Sequence, residues 1–386
     1  MIAKEFLILT VNLILIKFLF KFQHDKSKEI NLVDFFEINQ KNQKKKYFGN
    51  FVKNKNEHFY FIPTFLSYSP KNILKHLRKK NIIFREYFIN FSDLIYIFLC
   101  QFNNKFNIQK KFLNTDFSKL IKDEFKINAN LRSILIAYQN YLLFKNLKKR
   151  NYKIGNIISW HENQIIDKGW SLGVHRFFPN VNYEGYSGST LHPQFFNLSP
   201  TKYEFLSGAV PKKISLIGKK YLRSRNQFFK GIKYRISKYN RFDFKSKTKG
   251  KYILFLLSGI RNADEILVDF CKQASDKGIK NIRIKFHPIL PSSEFNHNFS
   301  NEIQGDGSKI IRSSYIVVTS SYTSGLYESM SNNSFTVFVD CCPLDRMLFQ
   351  ELKRYSSKLL FSSSSGQIIS QIKKINQKKT FLYQDN

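Results

Sequence analysis

Tyr252-Ile-Leu-Phe-Leu-Leu257 is an unbroken apolar run closed by Ser258-Gly259. A run this short, without alternation, reads as a strand buried on both faces, the kind found in parallel sheets covered by helices. Helical spacing follows over residues 263–277, and Asn281-Ile-Arg-Ile-Lys-Phe286 reads as a second strand. Strand, crossover helix and strand bring their C-terminal loops to one edge, because such crossovers are almost always right-handed. Tyr315-Ile-Val-Val318 and Phe335-Thr-Val-Phe-Val339 supply two more strands. The result is a Rossmann-like half-fold without the glycine fingerprint of dinucleotide binders, so NAD and FAD are not expected.

A chain of 386 residues exceeds what one hydrophobic core usually supports. Upstream, residues 59–63 and 81–84 read as short strands around a helical pattern over 70–79, and 131–147 reads as a longer helix. Three further strands are expected at 156–160, 183–186 and 213–217, with Gly and Pro punctuating their loops. Basic residues with few acids then crowd residues 219–251, as in a solvated linker. The predicted class is α/β, with two Rossmann-like domains facing a cleft. Their bounds are 1–220 for the first, 221–250 for a basic linker and 251–386 for the second. The chain opens on an apolar helix rather than a strand, which suggests a shortened first domain.

Lys and Arg outnumber Asp and Glu by 63 to 28, a formal charge of +35 that would attract anionic partners of several kinds. The excess is mostly lysine accompanied by Asn, Ile, Phe and Tyr, a mixture that AT-biased coding also produces. No RNA-recognition signature, zinc-finger spacing or basic-region heptad accompanies it, so a basic nucleic-acid-binding protein is the weakest reading. Cys100, Cys271, Cys341 and Cys342 show no CxxC spacing, which fits a reducing cytoplasm. Cys341 reads as a buried thiol at a strand end rather than a nucleophile.

The apolar stretch Phe6-Leu-Ile-Leu-Thr-Val-Asn-Leu-Ile-Leu-Ile16 is bounded by Lys17 and is shorter than the ~18 residues expected of a spanning helix. Lys4 is offset by Glu5 and no small-residue cleavage site follows, so a signal peptide is not expected. The favoured reading is a buried helix of the first domain. The alternative is a helix on an anionic membrane surface, with Lys17 and Lys21 reaching the headgroups.

Two strand ends carry the chemistry. Lys285-Phe286-His287-Pro288 closes one strand, and Ser320-Ser321-Tyr322-Thr323-Ser324-Gly325-Leu326-Tyr327-Glu328 follows another. In open α/β sheets ligands bind outside such C-terminal ends. Histidine can donate to a phosphate oxygen, and hydroxyls beside the amides of a helix start form an anion site. With Ser321 or Ser324 as the cap, Glu328 is not the acid of a capping box and is available to a ribose. Ser258-Gly259 lies at the neighbouring strand end. No DxD motif is present and no metal is predicted; Lys285 or Arg261 would help meet the donor charge.

These two motifs resemble the His-Pro and Ser/Thr motifs of two-domain GT-B-type glycosyltransferases of bacterial capsule and surface polysaccharides, including the polysialyltransferase and Kdo-transferase groups. Ser159-Trp160-His161-Glu162-Asn163-Gln164 and the Gly-rich strands after it look like a surface-carbohydrate family typified by O-antigen clusters. The resemblance spans roughly residues 155–345. It implies a glycosyltransferase whose substrates are a nucleotide-sugar donor, with CMP-linked sugars in the range, and a glycan or lipid-linked glycan acceptor. It needs no cofactor and works in the cytoplasm or peripherally on the inner face of the membrane. Donor binding carries over to Gly259, Lys285, His287, Ser320, Ser321, Thr323, Ser324 and Glu328. A base is needed on the first domain's side, with Glu162 the first choice and His161, Asp167 and Glu184 its competitors. A catalytically silent nucleotide- or glycan-binding protein of the same pathway is the alternative.

Overall fold

In the computed structural model the described residues are 2–37, 59–65, 70–77, 79, 81–102, 111–112, 115–116, 118–119, 131–188, 198–219, 221–237, 250–295, 299–320, 323–332, 334–343 and 345–384. Contacts divide the chain into two compact units, Met1–Gly188 with Pro193–Arg241, and Phe242–Asn386 with Ser189–His192.

The first unit opens with helix α1 (Ile2–Leu19) and strands β1 (Ile30–Glu37) and β2 (Phe59–Phe65). Helices α2 (Pro70–Leu77), α3 (Arg85–Phe88) and α4 (Phe91–Phe102) follow, then a small antiparallel pair, β3 (Lys111–Phe112) and β4 (Thr115–Asp116). Helix α5 (Leu131–Lys149), β5 (Ile154–Trp160), α6 (Ile165–Phe177), β6 (Asn182–Ser187), α7 (Lys202–Leu206), β7 (Lys213–Leu216), α8 (Tyr221–Arg225) and β8 (Lys233–Ile236) complete it. Its six strands are all parallel in the order β2-β1-β5-β6-β7-β8. The sheet is therefore doubly wound, with its order reversing between β1 and β5.

Three expectations change here. Strand β1 was not expected, because Asn31 and Asp34 interrupt its apolar run; both are buried, and Asp34 accepts a 3.0 Å hydrogen bond from the Thr64 hydroxyl. Of the strand expected over residues 81–84, Ile82 makes only an isolated bridge to Phe61. The segment expected as a linker from residue 221 begins as α8 and the edge strand β8. Lys233 and Arg235 hide that strand in the sequence, and charged side chains suit an edge because they oppose pairing with another chain.

Helices cover both faces. On one, Leu143, Phe144 and Leu147 of α5 and Trp170 of α6 pack with Ile30, Leu32 and Ile157. On the other, Ile16 and Phe20 join Phe35, Phe61 and Ile158. Gly169 and Gly173 let α6 lie close against α5: a Cβ on Gly173 would stand 2.8 Å from Phe144 Cδ2.

The second unit runs β9 (Tyr252–Leu256), α9 (Arg261–Asp276), β10 (Ile282–Lys285), α10 (Gly307–Arg312), β11 (Ser314–Thr319), α11 (Gly325–Ser331), β12 (Phe335–Val339), α12 (Asp345–Leu352), β13 (Leu359–Ser362) and α13 (Ser365–Gln384). Five parallel strands lie in the order β10-β9-β11-β12-β13. Alternate residues of β9 serve different cores: Ile253 and Phe255 pack with α9 and α13, while Leu254 and Leu256 pack with Ile310 and Ile311 of α10. Both faces are covered, as the unbroken apolar run requires. Two all-parallel α/β sheets, one per unit, are the predicted class. All four cysteines are free thiols, and Cys341, expected as a buried thiol, is half-buried, with burial pushing its pKa up to about 12, the direction that disfavours a thiolate.

Candidate functional site

In the second unit the strand order reverses between β9 and β11, and the crevice outside the C-terminal ends of such a pair is the position at which open α/β sheets take ligands. Leu256 is in register with both Lys285 and Thr319, so three strand ends finish level. The loops after them carry Ser258-Gly259, His287-Pro288 and Ser320 onward.

His287 is held at its strand end by a turn in which Leu290 N–H donates to its carbonyl at 3.0 Å. Ile289 N–H donates to His287 Nδ1 at 3.3 Å. A neutral ring that accepts at Nδ1 carries its proton on Nε2, so Nε2 is a donor. The ring lies against Gly259, where φ is +85° and a Cβ would stand 2.6 Å from His287 Nδ1. Gly259 thus acts by making room. Its amide donates to Asp264 Oδ2 at 2.7 Å, while Ser258 N–H and hydroxyl donate to Asp264 Oδ1 at 2.7 and 2.8 Å.

At the β11 end, the Thr319 hydroxyl donates to the Leu256 carbonyl at 3.0 Å and ties the two central strands together. Ser320 is fully buried and its Oγ has no hydrogen-bond partner among the described residues. Thr323 Oγ1 accepts from Gly325 N–H at 3.2 Å, and Ser324 occupies the cap position of α11 without a side-chain capping bond. Gly325 is required because a Cβ there would run into Leu256 Cδ2. Ser321 lies outside the described residues.

Glu328 stands one turn into α11, buried, with Oε2 accepting from the Ser308 hydroxyl at 2.8 Å. Lys285 approaches the same corner: its Cε is 3.6 Å from where a Gly307 Cβ would stand. Arg261 points elsewhere, paired with Glu294 at 3.0 Å.

In the first unit, Glu162 follows β5, which borders that sheet's own reversal point. Its amide and that of Gln164 donate to Asp167 Oδ2 at 2.8 and 3.0 Å. The half-exposed Glu162 carboxylate accepts from Gln164 Nε2 at 2.9 Å. Its competitors are committed. His161 is buried with its Nδ1 3.9 Å from Asp167 Oδ2, neither ring nitrogen is hydrogen-bonded among the described residues, and burial drives its pKa down to about 3. Asp167 is buried and raised to about 8 by desolvation. Glu184 is gripped by Arg235 at 2.6 Å and Lys213 at 3.3 Å. Among the four, Glu162 alone combines a carboxylate with access to solvent.

A device the sequence reading missed recurs at three strand ends. Asp167, Asp264 and Asp345 each turn a buried carboxylate back to accept backbone amides of the loop before their helix; for Asp345 these are the Cys341 and Cys342 amides, at 2.8 and 2.9 Å. The signal available was an aspartate at or near the helix start after each strand. The Ser/Thr loop after β11 has no such aspartate among its described residues.

The chain matches no protein-family model and no curated protein. Among solved structures it is similar to a kitacinnamycin glycotransferase (7% identity, 89% of this chain and 88% of that one, TM-score 0.48). It is also similar to a UDP-N-acetylglucosamine 2-epimerase (10%, 90% and 86%, TM-score 0.47) and to MurG of Acinetobacter baumannii (8%, 91% and 91%, TM-score 0.46). Likenesses this distant settle neither activity nor substrate. The strand orders themselves define the class, a pair of doubly wound parallel α/β units.

Proposed function

We propose that the chain is a glycosyltransferase whose second unit binds a nucleotide-sugar donor at the β9/β11 crevice. The observation that carries the reading is His287, set against Gly259 and level with the Ser/Thr loop at the point where the sheet order reverses. His287 Nε2–H and the hydroxyls of Thr323 and Ser324 suit the donor phosphates, with Ser320 and Lys285 behind them, and Ser321 belongs to the same set. A glycosyl transfer breaks the bond between the anomeric carbon and phosphate oxygen; a donor set of this kind stabilises the charge left on that oxygen. Glu162 of the first unit is the base that takes the acceptor hydroxyl's proton as that oxygen bonds to the anomeric carbon. Glu328 belongs to the donor site through Ser308, which it holds, and a ribose hydroxyl would have to share or displace that bond.

The acceptor in this reading is a surface polysaccharide or its lipid-linked precursor, and the donor class includes CMP-linked sugars. The reaction belongs to the cytoplasmic side, where four free thiols are at home. The test is transfer from CMP-, UDP- and GDP-sugars to a lipid-linked glycan pool, with and without Glu162→Gln. Transfer that falls at least ~100-fold in the variant is expected. Donor binding with no transfer in any combination would instead identify the silent binding protein of the same pathway.

A further inference from the structure

Helices α1 and α4 are apolar on opposite sides at once. The inner stripes, Leu9 and Leu13 on α1 and Leu94 on α4, pack together with Ile89. Outer stripes at helical spacing face solvent. On α1 these are Leu7, Val11, Ile14 and Phe18, with Phe18 81% exposed. On α4 they are Phe91, Ile95, Phe98 and Leu99, with Ile95 61% exposed. The two helices are antiparallel neighbours, since Phe6 near the start of α1 meets the Phe98 ring near the end of α4 edge-on at 4.9 Å, while Leu13, further along α1, shares a cluster with Leu94 near the start of α4.

A helix that is apolar all round belongs against another apolar phase, not water. Here no helix among the described residues is long and apolar enough to cross a membrane. Charge selects what covers the patch. Lys145 stands 3.7 Å from Asp93 at the start of α4, and Lys17, half-buried at the end of α1 with its pKa lowered first by burial and then by Arg150, belongs to the same end, so basic side chains flank one acid there. Lys21, two residues past the end of α1, adds to that basic end, while Lys4 at the start of α1 is offset by Glu5. A second copy would bring the same cations against these, on a chain already at +35; an anionic surface would neutralise them.

We infer that the outer faces of α1 and α4 are a docking surface for an anionic lipid bilayer, lying in the headgroup region with the cations at its rim. This surface is independent of the proposed donor site. The apolar start of the chain alone reads as a buried helix, whereas α4 adds a second exposed apolar stripe and the acid Asp93, and the cations beside that acid come from α1 and from α5.

The experiment is co-sedimentation of the full chain with vesicles of phosphatidylcholine alone and of phosphatidylcholine with phosphatidylglycerol, for wild type and Phe18→Ser/Ile95→Ser. The double variant keeps every charge, and both side chains are solvent-facing, so folding is retained; Leu7→Ser/Leu99→Ser is a second pair on the same faces. Expected are binding to the anionic vesicles and a loss of at least ~10-fold in each variant. Equal binding by wild type and both variants would reduce the effect to bulk charge and overturn the proposal. So would failure of wild type to bind, or a wild-type dimer in sedimentation velocity that the variants dissociate, which would make a second copy the occupant.

Discussion

Gly259 and His287 occupy one space: at φ +85° the glycine leaves its hydrogen where any other residue would place a Cβ 2.6 Å from the histidine Nδ1. The imidazole at the end of β10 is therefore positioned by a missing side chain at the end of β9. A residue whose amide is already committed to Asp264 still decides where the candidate phosphate donor sits.

Gly259→Ala should accordingly act twice. The left-handed backbone costs about 1–2 kcal/mol for a non-glycine residue. The added methyl must also push the ring away. Chemical denaturation should show the stability loss, and nucleotide titration should show affinity falling as far as it does in His287→Ala. Affinity unchanged in Gly259→Ala would mean that the ring position does not matter to binding.

Asp264→Ala removes the acceptor of the Ser258 and Gly259 amides and of the Ser258 hydroxyl. Leaving such groups unpaired costs about 1–3 kcal/mol each where they stay buried, and two of the three belong to buried Ser258, so a total loss of about 2–6 kcal/mol is expected. Asp345→Ala, which frees the Cys341 and Cys342 amides, should cost a comparable amount without affecting nucleotide binding. Equal loss of binding in both would assign the aspartates to stability alone.

Asp167 makes the first unit's stability depend on pH. Its folded pKa is raised from 3.8 to about 8, so between those values the folded chain holds a proton the unfolded chain lacks, and stability falls as pH rises. Asp34 acts in the same direction but only up to about 6. His161, lowered from 6.5 to about 3, acts oppositely and only below 6.5. The window from 6.5 to 8 therefore isolates Asp167. Wild type should lose about 2 kcal/mol across it, and Asp167→Asn, which can still accept the two loop amides, should lose less. Parallel pH profiles for the two proteins would show that Asp167 is ionised in the folded state.

Legibility in the sequence followed local pattern. Strand β9 and the two motif-bearing strand ends were readable because an unbroken apolar run and a change to hydroxyl or His-Pro chemistry are consecutive in the chain. Strand β1 was not, since buried Asp34 is met by the charge of Arg85 and by the Thr64 hydroxyl, 30 residues away, and β8 was not, since Lys233 and Arg235 flank its one half-buried residue, Tyr234. His287 and the described part of the Ser/Thr loop stand after strand ends, as the sequence pattern implies. Gly259's steric role depends on a neighbouring strand, and the Ser308–Glu328 hydrogen bond joins residues 20 apart. Both needed the fold.

The central claim is that His287 binds donor phosphate at the reversal point of the second sheet. Calorimetric titration of CMP, UDP, GDP and their sugars into wild type and His287→Ala tests it directly. The prediction is that at least one nucleotide binds the wild type, and that the variant, with an unchanged melting temperature, binds it at least ~10-fold more weakly, as expected for one hydrogen bond to a charged group. Binding of no member of the panel, or equal affinity in wild type and variant, would contradict it.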